Sequence, residues 1–71
     1  MILSQAQAEA VYSAMCALNN IGALYLLRVE YSTYGIRCSI DGVIDVRGGD
    51  DSYEIETYAN QSEFAAAYNL N

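Results

Sequence analysis

Nine carboxylates, three guanidiniums, two thiols and seven tyrosine hydroxyls are the groups this 71-residue chain could use for chemistry, and it has neither His nor Lys. The commonest general base and the amine nucleophile are therefore both missing. Cys16 lacks an activating partner, and Cys38 occupies an apolar position of an alternating segment, so both read as packed, reduced thiols. Paired carboxylates can act as acid and base, but a chain this short has little room for the dry pocket that would separate their pKa values. Gly48-Gly49-Asp50-Asp51 does not make a phosphate loop, because no Lys and helix follow it. Nor does it make a calcium loop, because the spaced ligands and the closing Glu are absent. The expectation is a protein without catalytic activity, cofactor or resident metal.

What remains is charge. The formal net charge is −6, and it is regional. Asp41, Asp45, Asp50, Asp51, Glu54, Glu56 and Glu63 fall between residues 41 and 63 against the single Arg47, while Glu9 and Glu30 balance Arg28 and Arg37 elsewhere. Such a balance opposes direct binding to nucleic acid or to an anionic membrane and favours a basic partner. In an extended strand Glu54 and Glu56 share a side at about 7 Å spacing. Asp50 and Asp51 continue the row into the preceding loop, and Asp45 is expected on the neighbouring strand. A row of carboxylates on a sheet is electrostatically akin to a nucleic-acid backbone and suits a groove lined with Lys and Arg. Tyr34, in a turn, and Tyr58, on the same open side, are the aromatic contact candidates. The expected partner-binding set is Asp45, Asp50, Asp51, Glu54, Glu56, Tyr58 and Tyr34. The same charges also suit an edge strand protected against aggregation, or a surface that keeps a small domain soluble.

The elements that must hold these residues follow from periodicity. Ser4 and Gln7 form a capping-box pair before a helix over Ser4–Asn19, whose core face is Ala8, Val11, Met15 and Leu18 with Tyr12 at its flank. The period then changes to two: Tyr25, Leu27, Val29 and Tyr31 alternate with Arg28 and Glu30. A turn at Ser32–Gly35 leads to Ile36, Cys38 and Ile40, pairing Val29 with Cys38. A three-residue loop, Asp41–Val43, then pairs Cys38 with Val46 and Ile40 with Ile44. A polar loop over residues 47–52 precedes a fourth strand, Tyr53–Tyr58, with Val46 opposite Tyr53 and Ile44 opposite Ile55. Asn60, with Glu63 three residues on, caps a second helix that buries Phe64, Ala65, Ala67 and Tyr68.

The fold class is thus α+β: a four-stranded antiparallel meander with an N-terminal and a C-terminal helix packed on one face, in a single domain over residues 1–71. Arg28, Arg37 and Arg47 share the other, open face. No basic segment leads into an apolar run at the start, and no apolar stretch approaches the roughly 18 residues of a membrane span. A cytoplasmic monomer is expected.

A short acidic chain opening with SQAQAEAVYSAMCALNN and continuing into a small sheet and a final helix resembles the small phage-encoded anti-CRISPR proteins, those acting on type I systems above all. The resemblance implies a stoichiometric inhibitor in the host cell cytoplasm. It would bind the basic DNA-recognition surface of the Cascade surveillance complex, with Asp50, Asp51, Glu54 and Glu56 central. The alternative from another class is an assembly module that oligomerises or completes a partner's sheet.

Overall fold

The computed structural model describes residues 1–30, 35–48 and 54–70. Helix α1 spans Gln5–Asn20. The Ser4 side chain accepts from the Gln7 amide at 3.2 Å while the Gln7 side chain accepts from the Ser4 amide at 2.9 Å, completing the capping box. At the other end Gly22 adopts φ +68°, the Ala23 amide reaches back to the Leu18 carbonyl, and the Gly22 amide reaches that of Asn19. This is a Schellman ending, and the left-handed residue at its centre favours glycine.

The chain does not enter a strand directly after this turn. Leu24–Leu26 forms a single 3₁₀ turn, closed by Leu26 and Leu27 amides on the Ala23 and Leu24 carbonyls. The expected strand from Tyr25 is accordingly shortened to β1, Arg28–Glu30, and Tyr25 is half exposed rather than in the core. Strands β2 (Gly35–Cys38), β3 (Ile44–Gly48) and β4 (Glu54–Tyr58) complete an antiparallel sheet of order β1-β2-β3-β4, and α2 spans Gln61–Ala67. The fold is α+β, with both helices on one face of a four-stranded meander.

Three registers differ from those the alternating pattern predicts. Val29 pairs with Ile36, not Cys38, and Cys38 pairs with Ile44, not Val46. Both are two-residue slips, which leave every side chain on its expected face. The second has a local cause. The three-residue loop is Ile40-Asp41-Gly42, with Gly42 at φ +90° and Ser39 bonded to Val43, because the glycine must take the left-handed position. Ile40 is thereby put out into solvent at 84% exposure.

The third difference is odd-numbered and has the larger effect. Val46 pairs with Glu56 and Ile44 with Tyr58, three residues away from the expected Tyr53 and Ile55. Strand β4 is therefore turned over. Glu56 and Tyr58 join the packed face, and Ile55 and Thr57 join the open one. Matching aliphatic to aliphatic across β3 and β4 overlooked what the second helix offers. Tyr58 meets Phe64 edge-on at 5.5 Å and Tyr68 at 6.2 Å. Aromatic pairs of this kind are worth about 0.5–1.5 kcal/mol each beyond the area they bury.

The core joins Ala8 and Met15 of α1, Ile36, Cys38, Ile44 and Val46 of the sheet, and Phe64 and Tyr68 from α2 and its end. Asn60 caps α2 by accepting from the Glu63 amide, and the Glu63 carboxylate accepts from the Ala59 amide. Phe64 and Ala65 are buried as expected, whereas Ala67 faces solvent. No helix among the described residues is long and apolar enough to cross a membrane.

Candidate functional site

Two rows of side chains lie across the open face. One is Arg28, Arg37, Asp45 and Thr57, and the other is Glu30, Gly35, Arg47 and Ile55. All three arginines of the chain stand here, as the alternation predicts, against two carboxylates among the described residues. Their pairing is mutual. Glu30 Oε1 receives Arg47 at 3.0 Å and Arg28 at 3.3 Å, while Arg37 lies 4.0 Å from Asp45. Asp45 also accepts the Thr57 hydroxyl at 2.9 Å.

Gly35 makes the longest of these reaches possible. Arg47, on β3, crosses β2 at Gly35 to meet Glu30 on β1. A methyl group at Gly35 would stand 2.9 Å from the Arg47 Nε and 3.1 Å from the Val29 carbonyl. The result is a shallow basin of about 290 Å³ lined by Glu30, Gly35, Arg37, Asp45, Arg47 and Ile55. It is open, with a lining that mixes charged and apolar side chains, and suited to surface contact rather than to enclosing a substrate.

The expected contact set is dispersed. Asp45 is on the open face, already engaged with Arg37 and Thr57. Glu54, paired with Gly48 at the start of β4, turns over with the strand to the side of Glu56 rather than the open face, but stays exposed. Glu56 and Tyr58, expected beside it on the open face, are on the packed face instead. Asp50, Asp51 and Tyr34 lie outside the described residues.

On the packed side Glu56 organises the end of the core. One oxygen, Oε1, accepts the Tyr68 hydroxyl at 2.6 Å and the Tyr58 hydroxyl at 2.9 Å, and the other accepts the Ile2 amide at 3.3 Å. The Tyr68 oxygen in turn accepts the Leu3 amide at 3.3 Å. Burial and then the bond to Glu56 raise both phenols above the ordinary tyrosine range. A largely buried carboxylate is thus satisfied by donors from β4, from the residue that ends α2 and from the segment before α1, with the Met1 ammonium 3.9 Å from its second oxygen. That is a structural role, and it removes Glu56 from any row of solvent-facing acids. Burial, with Asp45 adding to it, likewise raises the Cys38 thiol and disfavours its thiolate.

The reach of Arg47 over Gly35 escaped the pattern, although a glycine within an alternating strand signals a close approach across the sheet. The Glu56 cluster also escaped it, although Tyr58, Phe64 and Tyr68 recur at intervals that a strand-to-helix corner brings together.

Among the described residues, three guanidiniums and two carboxylates leave the open face at +1. The other seven carboxylates are distributed over the rest of the chain, which has no Lys or Arg. Comparison with protein-family models, curated proteins and solved structures finds no match to this chain.

Proposed function

We propose that this domain acts by binding a basic protein surface stoichiometrically, and that its partner is the DNA-recognition surface of a type I CRISPR surveillance complex. The observation that supports this reading most is the segregation of charge. All three arginines are held on one sheet face, so that Glu9, Asp41, Glu54 and Glu63 stand exposed with no Lys or Arg ion pair among the described residues. A basic groove meets no repulsive group there, and attraction of this kind raises the association rate and suppresses direct binding to nucleic acid. The contact surface differs from a row along β4. Glu54 contributes, with Asp50 and Asp51 preceding it in the chain, and Glu56 does not.

The test is a competition. Purified type I surveillance complex is titrated with the protein, and target-DNA binding is followed at several salt concentrations. Loss of DNA binding that weakens steeply with salt, and recovers when Asp50, Asp51 and Glu54 are changed together to Arg, is the expected result. Binding to the complex that ignores both salt and these changes would remove the acidic surface from the account. No binding at any salt would remove the inhibitor reading.

A further inference from the structure

The two edges of the sheet differ in what they offer to another copy of the chain. Edge strand β1 is Arg28-Val29-Glu30, exposed at all three positions. The Cys38 amide donates to the Leu27 carbonyl at 3.1 Å, and Val29 pairs with Ile36. In an antiparallel ladder the inward-bonding residues alternate, so Leu27 and Val29 bond toward β2. The amides and carbonyls of Arg28 and Glu30 then point away from the sheet.

A second β1 laid antiparallel about a two-fold axis through Val29 would place Arg28 opposite Glu30 of the other copy, and Glu30 opposite its Arg28. The outward backbone groups of these residues are in phase to make about four hydrogen bonds. The side chains across the seam are opposite in charge at both positions, and the two Val29 side chains meet at the centre. The same operation on β4 about Ile55 would set Glu54 against Glu56, like against like. Of these two pairings, the one at β1 is complementary in charge.

We propose that β1 is a homotypic interface at which two copies join antiparallel strands into a continuous eight-stranded sheet. This goes beyond the partner proposed above and does not depend on it. The contact is an isologous one and closes on itself. Three residues a side bury far less than the roughly 1,200 Å² of a stable interface. The dilute state is therefore the monomer, and pairing occurs only at high concentration. Forming it exchanges the Arg28–Glu30 contact within a strand for one between strands, and leaves the Arg47–Glu30 pair in place.

Sedimentation equilibrium of the native chain at constant ionic strength should show the apparent mass climbing from 7.8 kDa toward about twice that value as concentration rises to roughly 1 mM. Arg28→Glu and Glu30→Arg each place like charges across the seam, and each should stay monomeric. Mixed in equal parts, the two variants restore opposite charges and should regain the mass of a dimer. A native chain that remains monomeric throughout, or variants that stay apart when mixed while the native chain pairs, would overturn the proposal. Glu30→Arg also removes the partner of Arg47, so a second readout uses the native chain alone. In an amide NMR dilution series, the resonances of Arg28 and Glu30 should move with concentration. Movement confined to other elements, or none, would equally overturn it.

Discussion

The two faces of this sheet use the same residue types under different dielectric conditions. On the open face, Glu30 and Asp45 hold guanidiniums in solvent, where exposed ion pairs contribute about 0–1 kcal/mol each. On the packed face, Glu56 holds two phenol hydroxyls and a backbone amide beside Phe64, where leaving a donor unpaired costs about 1–3 kcal/mol. A carboxylate on one face arranges surface charge, and on the other it fixes how a strand, a helix and the start of the chain meet. Neighbouring residues of one strand can therefore differ sharply in consequence.

The largest contrast lies in apolar truncation. Phe64→Ala empties the centre of the aromatic cluster and should cost about 3–5 kcal/mol. Ile55→Ala, at a position 61% exposed on the open face, should change stability by no more than about 0.5 kcal/mol. Urea unfolding of the two variants measures both. A comparable loss from each would mean that β4 is turned the other way.

Gly35→Ala comes next. The new methyl group displaces the Arg47 side chain and crowds the Val29 carbonyl, which belongs to the ladder and yields less readily. A loss of about 1–2 kcal/mol is expected, along with separation of Arg47 from Glu30. Adding Arg47→Ala should recover only part of it, because the carbonyl contact remains.

Alkaline pH separates the faces by a different means. The folded state holds the Tyr58 and Tyr68 protons more tightly than the unfolded chain does, through burial first and then Glu56. Their contribution to stability is complete below the ordinary tyrosine value of 10.0 and is lost as pH rises beyond it. Absorbance titration near 295 nm should show these two phenols ionising later than tyrosine in the unfolded chain. Tyr58→Phe should remove part of the delayed signal. The smallest effect belongs to Arg37→Ala, whose long contact to Asp45 should leave stability within about 0.5 kcal/mol of the native chain.

The parts of the fold that were legible in the sequence are those with local causes. Ser4 and Gln7 announce the start of α1, Asn60 and Glu63 announce α2, and the alternation of Arg28, Val29 and Glu30 announces the sheet, although its expected beginning at Tyr25 is taken by a 3₁₀ turn. Arg28, Arg37 and Arg47 were placed on the open face because slips of two residues preserve it. The β3–β4 register was not legible, since it depends on Tyr58 meeting Phe64 and Tyr68 and on Glu56 finding donors from across the chain. No alternation of polar and apolar residues encodes those contacts. The candidate site inherited that difference. Asp45 and Glu54 remain at the surface, while Glu56 and Tyr58 turn inward.

Glu54 and Glu56, two residues apart on one strand, test this arrangement most directly. Each is replaced by Gln, and the free energy of unfolding is compared in urea. Glu56→Gln replaces the carboxylate that accepts two hydroxyls and an amide, and should lose about 2–3 kcal/mol. Glu54→Gln should remain within about 0.5 kcal/mol of the native chain. Equal and small losses would contradict the account, since they would put both carboxylates back in solvent on a single acidic face.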